Sequence, residues 1–285
     1  EQQILMADDL PACADNGNNH STETAQSIPS QCAVDGVCDA SASDFYRFTV
    51  SAGQRIAFEV HSQALRSEFD PVVRLLDANG RRLHFCDDSQ VGPDCRFRHQ
   101  FDAAGDYWLE VHDSRNAAAG AAYHLRIGDF PMVSHCFPLA VQCDQDATLQ
   151  FAGIDAGVTS ARDVRVAVGG SRSINANARL PNGKSSAWTP LLVSPYKQVR
   201  ESESLGVLTI PVGVSGQLGE PQEVDSYRLH GTKGQLIRVA SRTRSVGCPT
   251  LLQMMLFDAS GAKVAETQIS EADEWSFDYT FPTDG

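Results

Sequence analysis

Asp225-Ser-Tyr227-Arg228-Leu229 repeats Asp44-Phe-Tyr46-Arg47-Phe48 at an offset of 181 positions, and this repetition decides the fold. At the same offset Gly53-Gln54 returns as Gly234-Gln235, Ile56 as Ile237, and Asp77-Ala78-Asn-Gly80 as Asp258-Ala259-Ser-Gly261. Phe97, Phe101 and Gly105 match Phe277, Phe281 and Gly285 at offset 180, so one deletion keeps the register to residue 285. Upstream, Ile28-Pro29 and Val34-x-Gly36 find counterparts in Ile210-Pro211 and Val214-x-Gly216. The chain therefore holds two copies of one module with a different segment between them. In the first copy Gly105 leads into Asp106-Tyr-Trp-Leu-Glu-Val111 and then Tyr123-His-Leu-Arg-Ile127, whereas the second stops at its glycine. The second module is expected to lack two strands here. With no initiator methionine or apolar signal segment, the parent protein is expected to be longer at both ends.

Strand periodicity is the clearest local signal. Tyr46, Phe48 and Val50 alternate with polar neighbours, as do Ile56, Phe58 and Val60, Phe97, His99 and Phe101, Tyr107, Leu109 and Val111, and Tyr123, Leu125 and Ile127. Ser51-Ala-Gly53, Asp77-Ala-Asn-Gly80 and Ala103-Ala-Gly105 supply the turns between them. Short half-buried strands without a convincing helix predict an all-β chain of tandem β-sandwich modules of jelly-roll type. The segment between the copies has its own strand-like runs, Leu149-Gln-Phe151, Val164-Arg-Val166 and Leu191-Leu-Val193, and reads as an immunoglobulin-like sandwich. The expected boundaries are 1–20 for a linker or the end of a preceding region, 21–131 for the first module, 132–208 for the central sandwich, and 209–285 for the incomplete second module.

The 285 residues suit three domains, and no run approaches the ~18 apolar residues of a membrane helix. A formal net charge of −13 argues against nucleic acid and anionic membranes, because a surface that repels phosphate gains nothing from counterion release. The charge reads as solubility, with calcium-binding loops as the alternative. Six of the eight cysteines form close pairs, Cys32/Cys38, Cys86/Cys95 and Cys136/Cys143, none with Cys-x-x-Cys spacing. Three local disulfides are expected, each contributing roughly 2–3 kcal/mol by restricting the unfolded chain. They would place the protein in an oxidising compartment: secreted, periplasmic or on the cell surface. Cys13 and Cys248 are left to pair with each other or with partners elsewhere.

Catalytic motifs are poorly represented: the sequence has no Gly-x-Ser-x-Gly elbow, no His-Glu-x-x-His and no phosphate-cradling Gly-x-x-x-x-Gly-Lys. Glu59-Val60-His61 and Glu110-Val111-His112 echo each other at strand ends, where solvated polar residues are the simpler reading and a metal pair the alternative. The best candidate for chemistry is Asp87-Asp88-Ser-Gln-Val-Gly-Pro-Asp94, bracketed by Cys86 and Cys95. Three carboxylates so close repel one another unless water or a cation offsets them, and calcium accepts such oxygen ligands; Asp70 could join them. The alternative is an acidic turn held for stability alone.

Asp44-x-Tyr46-x-Phe48-x-Val50-x-Ala52-Gly53-Gln54, Asp70-Pro71-Val-Val-Arg-Leu75-x-Asp77-x-x-Gly80, Asp87-Asp88 and Ala104-Gly105-x-Tyr107-x-x-x-Val111 resemble the bacterial pre-peptidase C-terminal domain. The opening Asn18-Asn19 and Thr24-Ala25 are similar to the lead-in that precedes it. The resemblance covers residues 18–130 well and 210–285 more weakly. It implies a secreted accessory β-sandwich, related in architecture to the collagen-binding domains of clostridial collagenases. By that analogy a second calcium position would use Asn19, Glu23 and Asp44. The second copy departs from the pattern, with Gln268-Ile269 where the first has Asp87-Asp88, and Glu271, Asp273 and Glu274 nearby.

For these residues the expectation is a non-catalytic array in a larger exported bacterial protein, acting as spacer, stabiliser or binding surface. Its partners would be an extracellular or cell-surface protein or polysaccharide, and the rest of its own parent chain. The alternative is the accessory region of a secreted protease or other hydrolase whose catalytic domain lies outside this chain.

Overall fold

The computed structural model describes residues 9–39, 41–65, 67–116, 119–168, 172–203, 206–248, 250–267 and 274–285. The described chain is all-β, interrupted only by short 3-10 turns. It divides into two compact units: residues 1–132 with 154–159 and 179–187, and residues 133–153, 160–178 and 188–285.

The first unit is a sandwich of ten strands: β1 (Ala12–Ala14), β2 (Gln26–Ser27), β3 (Cys32–Val37), β4 (Asp44–Val50), β5 (Arg55–His61), β6 (Pro71–Leu76), β7 (Arg82–Cys86), β8 (Arg96–Gln100), β9 (Gly105–Asp113) and β10 (Ala122–Gly128). They form two five-stranded sheets, β1-β3-β10-β5-β8 and β2-β4-β9-β6-β7. The inward positions of the alternating runs meet between the sheets. Tyr46, Phe48, Phe58, Phe101, Leu75, Leu109, Leu125 and Ile127 are buried in a single core. Removing that apolar area from water is the main stabilising contribution, at about 25 cal/mol per Å².

The outer face of the first sheet departs from the half-buried pattern. Every residue of β5 and β10 after the first is buried. Glu59 stands directly across from Arg96 on β8 and Arg126 on β10, so the three form a cross-strand row. Arg96 approaches Glu59 Oε1 at 2.6 Å and Arg126 Nη1 donates to Glu59 Oε2 at 2.5 Å. Arg126 also donates to the Ser186 carbonyl and the Ser185 hydroxyl, and Ser185 bonds in turn to Asp9. The segments around residues 9 and 179–187 belong to this unit, and their contacts with Arg126 leave it no accessible surface.

The second unit begins with β11 (His135–Phe137), β12 (Ala140–Gln142), β13 (Asp146–Ala152), β14 (Arg162–Arg165), β15 (Ser173–Ala176) and β16 (Thr189–Ser194). These give two three-stranded sheets, β11-β13-β14 and β12-β16-β15, around Cys136, Val141, Leu149 and Leu191. Then follow β17 (Lys197–Arg200), β18 (Val207–Leu208), β19 (Val212–Ser215), β20 (Arg228–Leu229), β21 (Leu236–Ala240), β22 (Met255–Phe257), β23 (Lys263–Glu266) and β24 (Ser276–Thr280), paired as β17-β19, β18-β20, β21-β24 and β22-β23.

The repeat seen in the sequence recurs bond by bond. Gly53 N–H donates to the Phe101 carbonyl and Gly234 N–H to that of Phe281, both at 2.7–2.8 Å. The N–H groups of Asp77 and Asp258 donate to the carbonyls of Arg81 and Ala262. Gly80 and Gly261 take φ of 74° and 85° in these matching turns, a left-handed conformation that glycine adopts without steric cost. The register shift between Leu75 and Leu76 in β6 returns between Leu256 and Phe257 in β22. β1 lies within residues 1–20, and β17 and β18 lie within 132–208.

None of the three expected disulfides is formed among the described residues. Cys32 opens β3 and Cys38 follows its last residue, Val37, which puts the two roughly 20 Å apart at about 3.3 Å per residue, too far for a disulfide. Cys32 instead shares a face with Cys13, because Cys13 pairs with Val34 in the β1–β3 register. Cys95 Sγ lies 3.1 Å from the Cys86 carbonyl oxygen, so that pair is adjacent. Burial above all, with Cys248 adding to it, pushes the Cys136 thiol up to about 11.

Candidate functional site

The sequence candidates fall at two places in the first unit. At the first, the acidic loop, each carboxylate has its own neighbours. Asp94 is spent on backbone: its Oδ1 accepts the N–H groups of Ser62 and Gln63 at 3.0 and 2.9 Å, and its Oδ2 accepts that of Ala64 at 2.9 Å. These amides open the 3-10 turn Gln63–Leu65, whose first donors have no partner within the turn. Glu274 does the same in the second module, accepting from the N–H groups of Thr243 and Ser245 at 2.6 and 3.0 Å at the start of the turn Arg244–Val246. Asp70 accepts from Gln63 Nε2 and Ser114 Oγ, both at 2.5 Å. Asp87 and Asp88 are exposed, and the Asp88 carboxyl is pushed up by its partial burial and by Asp87 and Asp70. The loop thus brings Asp70, Asp87 and Asp88 near one another and gives Asp94 to the turn. Gln268, Ile269, Glu271 and Asp273 lie outside the described residues. Among the described residues no three His, Cys, Asp or Glu side chains are grouped to hold a metal.

The lead-in has a different chemistry. Asn19 and Asp44 are buried, with 0% and 2% of their surface exposed, where the lead-in crosses the start of β4. Phe45 N–H donates to the Asn19 carbonyl at 2.7 Å and Asn19 Nδ2 to that of Phe45 at 3.3 Å, while Trp108 Nε1 donates to Thr22 O at 3.1 Å. Beneath them, Tyr123 Oη donates to Asp44 Oδ2 at 2.5 Å and is itself 2.6 Å from Tyr46 Oη. Tyr123 reaches this point because its ring lies over Gly36, where any Cβ would collide with it. Two buried oxygens, Asn19 Oδ1 and Asp44 Oδ1, have no hydrogen-bond partner. His20 Nδ1 is 3.7 Å from Asp44 Oδ1, and its Nε2 is 3.4 Å from Asp39. Burial drives the Asp44 carboxyl up to about 6; the Tyr123 hydrogen bond and His20 oppose that rise, while Asp15 and Asp39 add to it.

Leaving a buried acceptor unmade costs about 1–3 kcal/mol. Oxygens of this kind, with the negative charge of Asp15 and Asp39 acting on Asp44, are the ligand type that a hard cation takes. The Asp94 oxygens, by contrast, accept hydrogen bonds from the backbone amides of residues 62–64. Glu23, the third lead-in candidate, is exposed and kept below the usual carboxylate range by Ser21, its own backbone N–H and Thr22. Sequence reading missed Asp15, Asp39 and Tyr123, which are distant in sequence and converge only through the β3–β10 pairing. His61 and His112 lie in different sheets, each beside a glutamate, Glu59 at 3.6 Å and Glu110 at 3.8 Å.

No protein-family model and no curated protein matches this chain. Among solved structures it is similar to the pre-peptidase C-terminal domain of a Bacillus anthracis collagenase, at 18% identity and TM-score 0.31, over 36% of this chain and 94% of that one. It is also similar to a periplasmic inhibitor of g-type lysozyme from Aeromonas hydrophila, at 13% identity and TM-score 0.29, over 36% and 95% of the two chains. A surface-associated copper-binding protein of Methylomicrobium album matches at 9% identity and TM-score 0.24, over 43% and 99%. At TM-scores of this size none of these likenesses bears on what the chain does.

Proposed function

We propose that this chain is a non-catalytic module array of an exported bacterial protein, serving as spacer, stabiliser or binding surface towards a protein or polysaccharide outside the cell. The observation that carries the reading is the duplicated sandwich. One strand order and one set of turn hydrogen bonds occur twice, and the conserved bonds hold the framework: the glycine turns, the Asp77 and Asp258 loops, and the carboxylate caps of Asp94 and Glu274. Repetition of a framework multiplies surface and length, whereas a catalytic centre needs one convergent set of groups. The sequence resemblance to the pre-peptidase C-terminal domain supports the same reading. We further propose that calcium is held at the lead-in by Asn19 Oδ1 and Asp44 Oδ1, where the ion would tie the chain before β2 to the end of the sandwich.

The test incubates the whole chain with insoluble chitin, cellulose, peptidoglycan and fibrillar collagen, and in parallel with chromogenic ester, glycoside and peptide substrates. Saturable co-sedimentation without turnover is expected. Turnover that a single substitution in residues 9–285 abolishes would refute the proposal and favour a hydrolase.

A further inference from the structure

Cys136 stands on β11 with no accessible surface, and its Sγ lies 3.7 Å from the Pro190 carbonyl on β16. The cysteine nearest to it in sequence is held elsewhere. Cys143 follows β12, which runs parallel to β16 with Gln142 opposite Ser194, and the Cys143 N–H donates to the Ser194 carbonyl at 2.9 Å. The two cysteines are thus anchored towards opposite ends of β16. From Pro190 to Ser194 that strand advances roughly 13 Å at about 3.3 Å per residue, where a disulfide needs Cα atoms within about 7 Å.

The second module brings another cysteine to β16. Its 3-10 turn Arg244–Val246 packs against this strand, with Val246 fully buried. Cys248 follows the turn, and its N–H donates to the Thr243 carbonyl at 3.0 Å. It lies near enough to Cys136 to push that thiol up further, and its own thiol is pushed up to about 11 by burial. The matching turn of the first module, Gln63–Leu65, is followed by Ser67, whose N–H donates to the Ser62 carbonyl at 3.0 Å. The first module therefore has serine where the second has Cys248. Its adjacent thiols, Cys86 and Cys95, are replaced in the second module by Thr267 and Trp275. Cys248 consequently has no second thiol within its own module, and the thiol it meets is that of the central sandwich.

We propose that Cys136 and Cys248 form a disulfide that joins the central sandwich covalently to the second module. The reaction is thiol–disulfide exchange with an external disulfide, either a protein or a small molecule. The thiolate of Cys248, the more accessible of the two, displaces one sulfur of the reagent and forms a mixed disulfide. Cys136, after losing its proton, attacks the Cys248 sulfur and releases the other half of the reagent. The two cysteines give up two protons and two electrons, and the reagent leaves as two thiols. The bond closes a loop of about 110 residues, which restricts the unfolded chain more than a local staple does. It ties the two sandwiches together even when one of them opens.

The test treats the reduced full chain with oxidised glutathione at about pH 8.5, where thiolate forms more readily, until thiol titration shows no further loss. Remaining thiols are capped with iodoacetamide and a non-reducing digest is read by mass spectrometry, with Cys248→Ser and Cys143→Ser in parallel. A linked Cys136–Cys248 peptide is expected in the wild type and in Cys143→Ser, with Cys143 capped in the wild type and Cys136 capped in Cys248→Ser. Amide exchange at residues 243–248 is expected to slow roughly 10-fold or more on oxidation of the wild type and to stay unchanged in Cys248→Ser. A linked Cys136–Cys143 peptide, Cys136 and Cys248 both capped at the end point, or Cys248 recovered only with glutathione or in links between two chains would overturn the proposal. A Cys136–Cys248 link that leaves exchange unchanged would overturn its role as a tie.

Discussion

Changing Glu59→Gln tests whether the buried charge row organises the first unit. Glu59 is 1% exposed, and it balances Arg96 and Arg126, themselves buried, while His61 lies 3.6 Å away. Burial by itself would push its carboxyl up; Arg96, His61 and Arg126 outweigh that and hold it well below the usual carboxylate range. Glutamine keeps the shape and removes the charge, leaving two guanidinium groups with no buried anion at their centre. Removing one partner of a buried pair costs about 3–5 kcal/mol, chiefly through the charge left uncompensated. For a unit of this size that corresponds to a melting temperature lower by about 10 °C. The folded carboxyl ionises below its unfolded value, so its stabilisation is present above the ordinary value of 4.5 and is lost as pH falls through the folded value. The difference between wild type and variant should accordingly be full at pH 7 and shrink below about pH 4. Hydrogen exchange under increasing denaturant, read on peptides from β5, β8 and β10, isolates this unit. The second module has Ala240 at the matching position and serves as an internal control. A loss under about 1 kcal/mol, or an equal loss at pH 7 and pH 3, would show that the row is not held by charge.

Calcium should raise the melting temperature of the first unit, by about 2.7 kcal/mol of stability at a hundred times the dissociation constant, and EDTA should reverse it. Asp44→Asn should abolish that response while Asp88→Asn leaves it intact, and the reverse ranking measured by calorimetry would move the site to the acidic loop. Asp94→Ala should cost about 1–3 kcal/mol and speed exchange at residues 62–65 with no change in calcium response, as should Glu274→Ala at residues 243–246. Under mild oxidation by a disulfide reagent, peptide mapping should find Cys86–Cys95 and Cys13–Cys32 linked, and recovery of a Cys32–Cys38 peptide would contradict the β3 strand.

How much of this was legible in the sequence depended on whether the cause was local. The alternation of Tyr46, Phe48 and Val50 needs only the two-residue period of a strand, and the glycine turns need only a left-handed φ, so the sandwich core and the duplication could be read directly. The Cys32/Cys38 relation could not, because closeness in sequence says nothing about which strand lies between two residues, whereas the Cys86/Cys95 adjacency could. β3 separates Cys32 from Cys38, while the parallel β1–β3 pairing sets Cys13 across from Val34, on the face that carries Cys32. The surroundings of Asp94 were hidden for a related reason: the partner of each carboxylate oxygen in a short loop is not a local property. Its partners are backbone amides some thirty residues upstream, visible only once β5 and β8 are adjacent.

The second module shows why a repeat in sequence says more about topology than about burial. Its turns form with the same hydrogen bonds as those of the first module because they are closed by residues within a few positions of each other. Its core does not close in the same way, since Tyr46 is buried with the help of Tyr123 on β10, and nothing among the described residues takes that place beside Tyr227. Local order in this fold is therefore independent of the two inner strands, and burial of the apolar face depends on them.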